Sequence, residues 1–171
     1  MNLVIESRPF RMGRKWLELP AGEVELREAD RYALTLSISK LPMMNHAATT
    51  RNRWAQKADV DYWRAVVTLM VPKEFRPPQP LMLSRAIFTR HSSMQPDKAQ
   101  LGVSFKAIED ALTRSRLSQG KKPRWIQRAD VLFDDAPKYL DPDFRWARAP
   151  RGAGFITVEI DELVEGACPK S

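Results

Sequence analysis

The sequence predicts an α+β fold, a mixed β-sheet with two main helices packed on it, and three observations lead there. Leu34, Leu36 and Ile38 alternate with Thr35, Ser37 and Ser39, and Ile156, Val158 and Ile160 alternate with Thr157, Glu159 and Asp161. That period of two is the mark of a half-buried strand. Trp63, Val66, Val67 and Met70, and later Leu101, Phe105, Ile108 and Leu112, recur at the three- and four-residue spacing of amphipathic helices. The order strand, helix, strand, helix and then further β segments lacks regular βαβ alternation, which favours a mixed sheet with its helices on one side.

Along the chain, residues 1–33 read as an N-terminal extension. Within it, residues 15–28 form two short alternating segments around Pro20-Ala21-Gly22, the pattern of a β-hairpin. The main domain runs from 34 to 165, and 166–171 form a loose tail. After the strand at 34–39, residues 40–57 show no periodicity and hold Pro42, Asn45 and four basic residues, so they read as an exposed basic loop. The first helix carries the Trp63 stripe and is ended by Pro72. The run Glu74 to Pro80 is a stiff proline-rich connector, and residues 81–90 are a strand apolar enough to be central. Polar residues from His91 to Lys98 lead into the second helix. Arg114 to Arg128 is a basic run that reads as a mobile loop, before the short apolar run Val131-Leu132-Phe133 stops at Asp134-Asp135.

A chain of 171 residues, 43% apolar and 29% charged, can bury one core and is too short for two large domains. No stretch approaches the ~20 consecutive apolar residues of a membrane span, and neither a signal peptide nor an anchor is read at the N-terminus, so a cytoplasmic protein without membrane partners is expected. Cys168 is the one cysteine, which leaves no disulfide framework or cysteine zinc site within the chain. The net charge of +7 is uneven. Residues 51–131 hold 16 Lys+Arg against 7 Asp+Glu, or +9, leaving −2 for the rest. A polyanion such as nucleic acid fits this distribution, because cations that neutralise phosphates gain from counterion release; a solvated basic surface fits it equally.

Three carboxylates stand at element ends: Asp97 before the second helix, and Asp134 and Asp135 after the third apolar run. Magnesium prefers oxygen ligands and keeps several waters, so a few such carboxylates plus a substrate phosphate suffice to hold it. Such an ion polarises a phosphate and helps generate hydroxide. Asp-Asp-Ala-Pro is also a common turn, and Asp97 an ordinary residue before a helix. His46 and His91 are too far apart to suggest a ligand pair and read as solvated, and Ser93 with His91 lacks a third group to orient a base. Trp54 among Arg51, Arg53 and Lys57 suits base stacking with phosphate contact, or packing at a sheet edge. Trp125 and Trp146, each beside arginine, leave the same two readings open.

The succession Asp97-Lys98-Ala99-Gln100-Leu101, Ser104-Phe105-Lys106, Asp110-Ala111-Leu112 and Asp134-Asp135-Ala136-Pro137 resembles the core of the RusA-like Holliday junction resolvases. In that family Asp-x-Asp-Asn-Leu opens a helix that continues through a lysine to Asp-Ala-Leu, and an Asp-Asp pair follows the next short strand. Pro42, Asn45, Trp54-Ala55, Lys57 and Trp63-Arg64 are similar to the family's upstream loop, basic aromatic patch and first helix. The resemblance spans about residues 34 to 162. It implies a magnesium-dependent (or manganese-dependent) homodimeric endodeoxyribonuclease that makes paired nicks in four-way or other branched DNA during recombination and repair. Two identical sites across a two-fold axis suit paired cuts. By the same resemblance Asp97, Asp135 and Lys106 are catalytic; Asp97, Asp134 and Asp135 bind the metal; and Asn45, Arg53, Trp54, Lys57, Arg64 and Lys98 contact DNA, to which Lys121 and Lys122 of the basic run, outside the resemblance, are added as candidate contacts. Two departures matter. Ala99 and Gln100 stand where the family has the second aspartate and the asparagine, and a methyl group cannot bind a metal. Glu109 and Asp110, the nearest acids in sequence, are expected about 15 Å away along the helix. The basic insertion at 114–131 is the second departure. The alternative reading is therefore a catalytically impaired member retained as a branched-DNA-binding module.

Overall fold

The computed structural model describes residues 1–27, 31–42, 53–118 and 122–163, with the side chains of 53–56 outside that description. The fold is α+β. Its main sheet has six strands in the order β1 (Asn2–Ile5), β4 (Gly22–Arg27), β5 (Ala33–Ile38), β10 (Phe155–Glu162), β6 (Ser84–Ser92) and β9 (Leu140–Arg148). Every pairing is antiparallel except that of β6 with β9, which makes the sheet mixed.

Alternation sets the two faces. Leu34, Leu36, Ile38, Ala86, Phe88, Ile156, Val158 and Ile160 all point inward and are buried, whereas Thr35, Ser37, Thr89, Thr157 and Glu159 on the other face are half-buried. Helix α1 (Arg53–Met70) and helix α2 (Lys98–Leu112) cover the inner face. Trp63, Val66, Val67 and Met70 of α1 and Leu101, Phe105, Ile108 and Leu112 of α2 join the strands in one buried cluster. The ring of Phe88 lies 5.4 Å from Phe105 and 5.3 Å from Phe144, so α2 packs over the β6–β9 half.

Several expectations are corrected. The hairpin expected around Pro20-Ala21-Gly22 does not form, because β3 (Lys15–Leu19) pairs with β2 (Arg8–Met12) and β4 pairs with β1 and β5. The turn lies instead at Gly13-Arg14, where Gly13 at φ 62° is the positive-φ residue that a two-residue hairpin needs first. Gly22 is the crossing between the two sheets: a Cβ there would come within 2.3 Å of the Ser37 carbonyl oxygen. Residues 2–27 thus contribute two strands to the main sheet, and Ile5, Leu19 and Val24 to its core.

The basic loop expected over 40–57 gives way to helix at Arg53, since α1 begins ten residues before its apolar stripe. The basic run 114–128 is not simply loop: β7 (Arg116–Leu117) pairs with β8 (Trp125–Ile126) as a short antiparallel ribbon. Val131-Leu132-Phe133 forms only single bridges, from Leu132 to Leu81 and to Thr113. His91, read as solvated, is half-buried and stacked on Phe155 with centroids 4.0 Å apart, and burial lowers its pKa. The tail from 166, with Cys168, lies outside the described residues. Among the described residues no helix is long and apolar enough to cross a membrane.

Candidate functional site

The C-terminal half of α2 gathers a cluster of charge. Residues 129–132 are bound to it by backbone hydrogen bonds, from Ala129 N–H to the Ala111 carbonyl at 2.9 Å and from Val131 and Leu132 N–H to the Leu112 carbonyl at 3.0 and 2.9 Å. These satisfy carbonyls that a helix terminus leaves free. The same bonds carry the chain to the Asp134-Asp135 turn, placing it beside Lys106. The Lys106 ammonium donates to Asp135 Oδ2 and lies 3.5 Å from Glu109 Oε1 and 3.2 Å from Asp110 Oδ1. Glu109 and Asp110 arrive by their i+3 and i+4 spacing; Asp135 arrives by the turn.

The protonation states follow. Burial alone would lower the Lys106 pKa, but the hydrogen bond to Asp135 and the charges of Glu109, Asp110 and Asp135 outweigh it and raise the value. Burial alone would raise Asp135, yet its hydrogen bonds with Lys106 and Asp134, and the Lys106 charge, bring it down to about 2. Glu109, buried at 6% exposure, is raised by desolvation, which the Lys106 charge only partly offsets. Arg128 is buried nearby, where it donates from Nη1 to Thr113 Oγ1; its pKa is lowered by burial and by Arg116, against the opposing pull of Asp110 and Asp135. Asp134 Oδ1 accepts from the backbone N–H of Asp135 at 2.8 Å and of Ala136 at 3.3 Å. That is the turn-forming role of an Asx side chain.

Of the residues expected to act together, Lys106, Asp134 and Asp135 are adjacent. Asp97 is not with them. It is exposed at the start of α2, makes no side-chain capping bond, and stands nine residues before Lys106, roughly 13 Å along the axis. As for magnesium, Asp134 Oδ1 is taken by two backbone donors, Asp135 Oδ2 by Lys106, and Ala99 offers no donor atom. Among the described residues no group of three or more His, Cys, Asp or Glu side chains is arranged to hold a metal ion. As it stands the arrangement is one ammonium shared among three carboxylates, Glu109, Asp110 and Asp135, which leaves the cluster formally acidic.

The expected DNA-contacting residues divide. Lys57 is exposed and paired with Asp61 at 2.7 Å; Arg64 reaches the other oxygen of Asp61 at 2.9 Å. Lys98 and Lys122 are exposed. Asn45 and Lys121, and the side chains of Arg53 and Trp54, lie outside the described residues. Trp146 packs against the core and donates from Nε1 to Ser92 Oγ at 3.1 Å, whereas Trp125 stands 65% exposed. The sequence reading had not assigned Arg128 any part. Its surroundings could not be read from a position within a basic run.

Compared with known proteins, the sequence matches no protein-family model and no curated protein.

Proposed function

We propose that this chain is a branched-DNA-binding protein of RusA-like build in which carboxylate chemistry is impaired. The observation that carries this reading is the engagement of Asp135 by Lys106, with Asp97 exposed nine residues earlier at the start of α2, a helix rise of roughly 13 Å before Lys106. A two-carboxylate phosphodiesterase needs both groups on one scissile phosphate. Here one is spent in an ion pair and the other faces solvent. Support for the polyanion comes from the +9 charge of residues 51–131 and from the order of the motifs.

The test uses a labelled synthetic four-way junction and a linear duplex of the same sequence. The expected result is metal-independent binding that prefers the junction and weakens steeply with salt, with no strand cleavage in Mg²⁺ or Mn²⁺. Absent or salt-insensitive binding would sink the reading. Paired nicks that Asp135→Asn abolishes would restore the metal-dependent nuclease in its place, whereas cleavage that appears only in Ala99→Asp would support the impaired-member reading.

A further inference from the structure

Resting on that reading, we propose that the β7–β8 ribbon meets the branch point itself, with Trp125 stacking on an unpaired or terminal base while Arg116, Lys122 and Arg124 hold the adjoining phosphates. Leu117 and Trp125 are direct partners across the ribbon, so both side chains leave the same face. They are 59% and 65% exposed. Among the described residues Trp125 enters no ring stacking or cation–π contact, whereas Trp63 is 1% exposed and Trp146 is held by Ser92.

The surroundings specify the partner's charge. No Asp or Glu occurs between Asp110 and Asp130 in the sequence. Those two bordering acids have partners of their own, Asp110 in Lys106 at 3.2 Å and Asp130 in Arg76 at 3.8 Å and in the Ser115 hydroxyl at 3.0 Å. Arg114 is stacked over Phe133, which leaves Arg116, Lys122 and Arg124 exposed and in no ion pair among the described residues. An apolar ring on one face and unpaired cations around it match the two chemistries of a single strand, a π-face and a phosphate.

The base of the ribbon is fixed. Arg128 N–H donates to Ser115 Oγ at 3.0 Å, its buried guanidinium donates to Thr113 Oγ1, and Asp130, at φ 56°, accepts from the Ser115 hydroxyl at 3.0 Å. Trp125 is therefore presented from an anchored support, which limits the entropy lost on binding. Among the described residues the other exposed tryptophan, Trp16 at 70%, lies opposite Arg11 in the β2–β3 ribbon, whose strands include Glu18. It provides an internal control.

The experiment places 2-aminopurine as an unpaired base beside the branch of a DNA fork and, separately, inside a linear duplex. Wild-type protein should quench the fork signal and leave the duplex signal unchanged. Trp125→Ala should lose the quench and bind the fork about 5- to 150-fold more weakly, the range for removing one stacked base. Trp125→Phe, which keeps a ring, should retain most of both, and Trp16→Ala should match wild type. Trp125→Ala that quenches and binds as wild type does would overturn the ribbon assignment alone, as would loss of the quench in Trp16→Ala. Failure of the wild-type protein to bind the fork would overturn the assignment together with the reading it rests on.

Discussion

Two clusters of charge flank the end of α2 and are built on opposite principles. Around Lys106 one cation faces three carboxylates, Glu109, Asp110 and Asp135, within a partly buried pocket of charge. On the β7–β8 ribbon Arg116, Lys122 and Arg124 are exposed and in no ion pair among the described residues. In the first cluster every carboxylate shares the one ammonium, which ties α2 to the Asp134-Asp135 turn and leaves an excess of negative charge. Among the described residues the second has no ion pair, which leaves its cations open to solvent ions or to a partner. The contrast is between a cluster that ties elements of the fold together and one that, on the proposal above, waits for an anionic partner.

The comparison can be broken most directly at Lys106. Lys106→Ala leaves Asp135 and the buried Glu109 without their cation; losing a partner from a buried pair costs about 3–5 kcal/mol, and with Lys106 half-exposed we expect about 2–3. Urea unfolding should show this while fork affinity changes little. Asp135→Asn comes next. Its folded pKa of about 2 lies below the ordinary 3.8, so its stabilisation is present above about pH 4 and lost as pH falls towards 2. The variant should lose up to about 2 kcal/mol at neutral pH and show a shallower acid limb in a melting-temperature profile.

On the ribbon the signs reverse. Lys122→Ala should leave stability within about 0.5 kcal/mol yet lower the slope of log binding constant against log salt by about 0.7–0.9. The smallest effect is expected at Glu109→Gln. Burial raises the Glu109 pKa, so its charge is less favourable in the fold than in the unfolded chain even with Lys106 partly offsetting the cost. The amide should therefore be neutral or stabilising by less than ~1 kcal/mol, read from unfolding at pH 7 and pH 4. A loss of several kcal/mol would mean that Glu109 is structurally required as an anion.

How much of this was legible in the sequence depended on where each signal came from. The helices and the strands β5, β6 and β10 carry one apolar face each, so periodicity revealed them, with β6 beginning three residues later than expected. Strand β9 escaped because it lies at the sheet edge, where Leu140-Asp141-Pro142-Asp143 needs no apolar alternation and Pro142 is tolerated. The β2–β3 ribbon escaped for a similar reason, since its side chains are mostly exposed. At the candidate site the contacts of Lys106 with Glu109 and Asp110 were implicit in local spacing. Its contact with Asp135 spans 29 residues and depends on how 129–132 return to the helix end, which no local pattern encodes. Likewise, nothing in residue type separates Trp125 from Trp146. Burial alone distinguishes them.

The position of β10 between β5 and β6 has a consequence for how the molecule is made. As the chain leaves the ribosome, β4 and β5 can pair early and β6 can meet β9 after residue 148, but the two halves have no strand between them until residues 155–162 emerge. Until then two inner strands expose open edges, the condition under which chains pair with the wrong neighbour. Final closure of the sheet is thus a late event of high sequence separation, from Asp161 back to Ala33, and topology of that kind slows folding. Slowed translation or a chaperone acting over that interval would change the yield of folded protein without altering any contact in it.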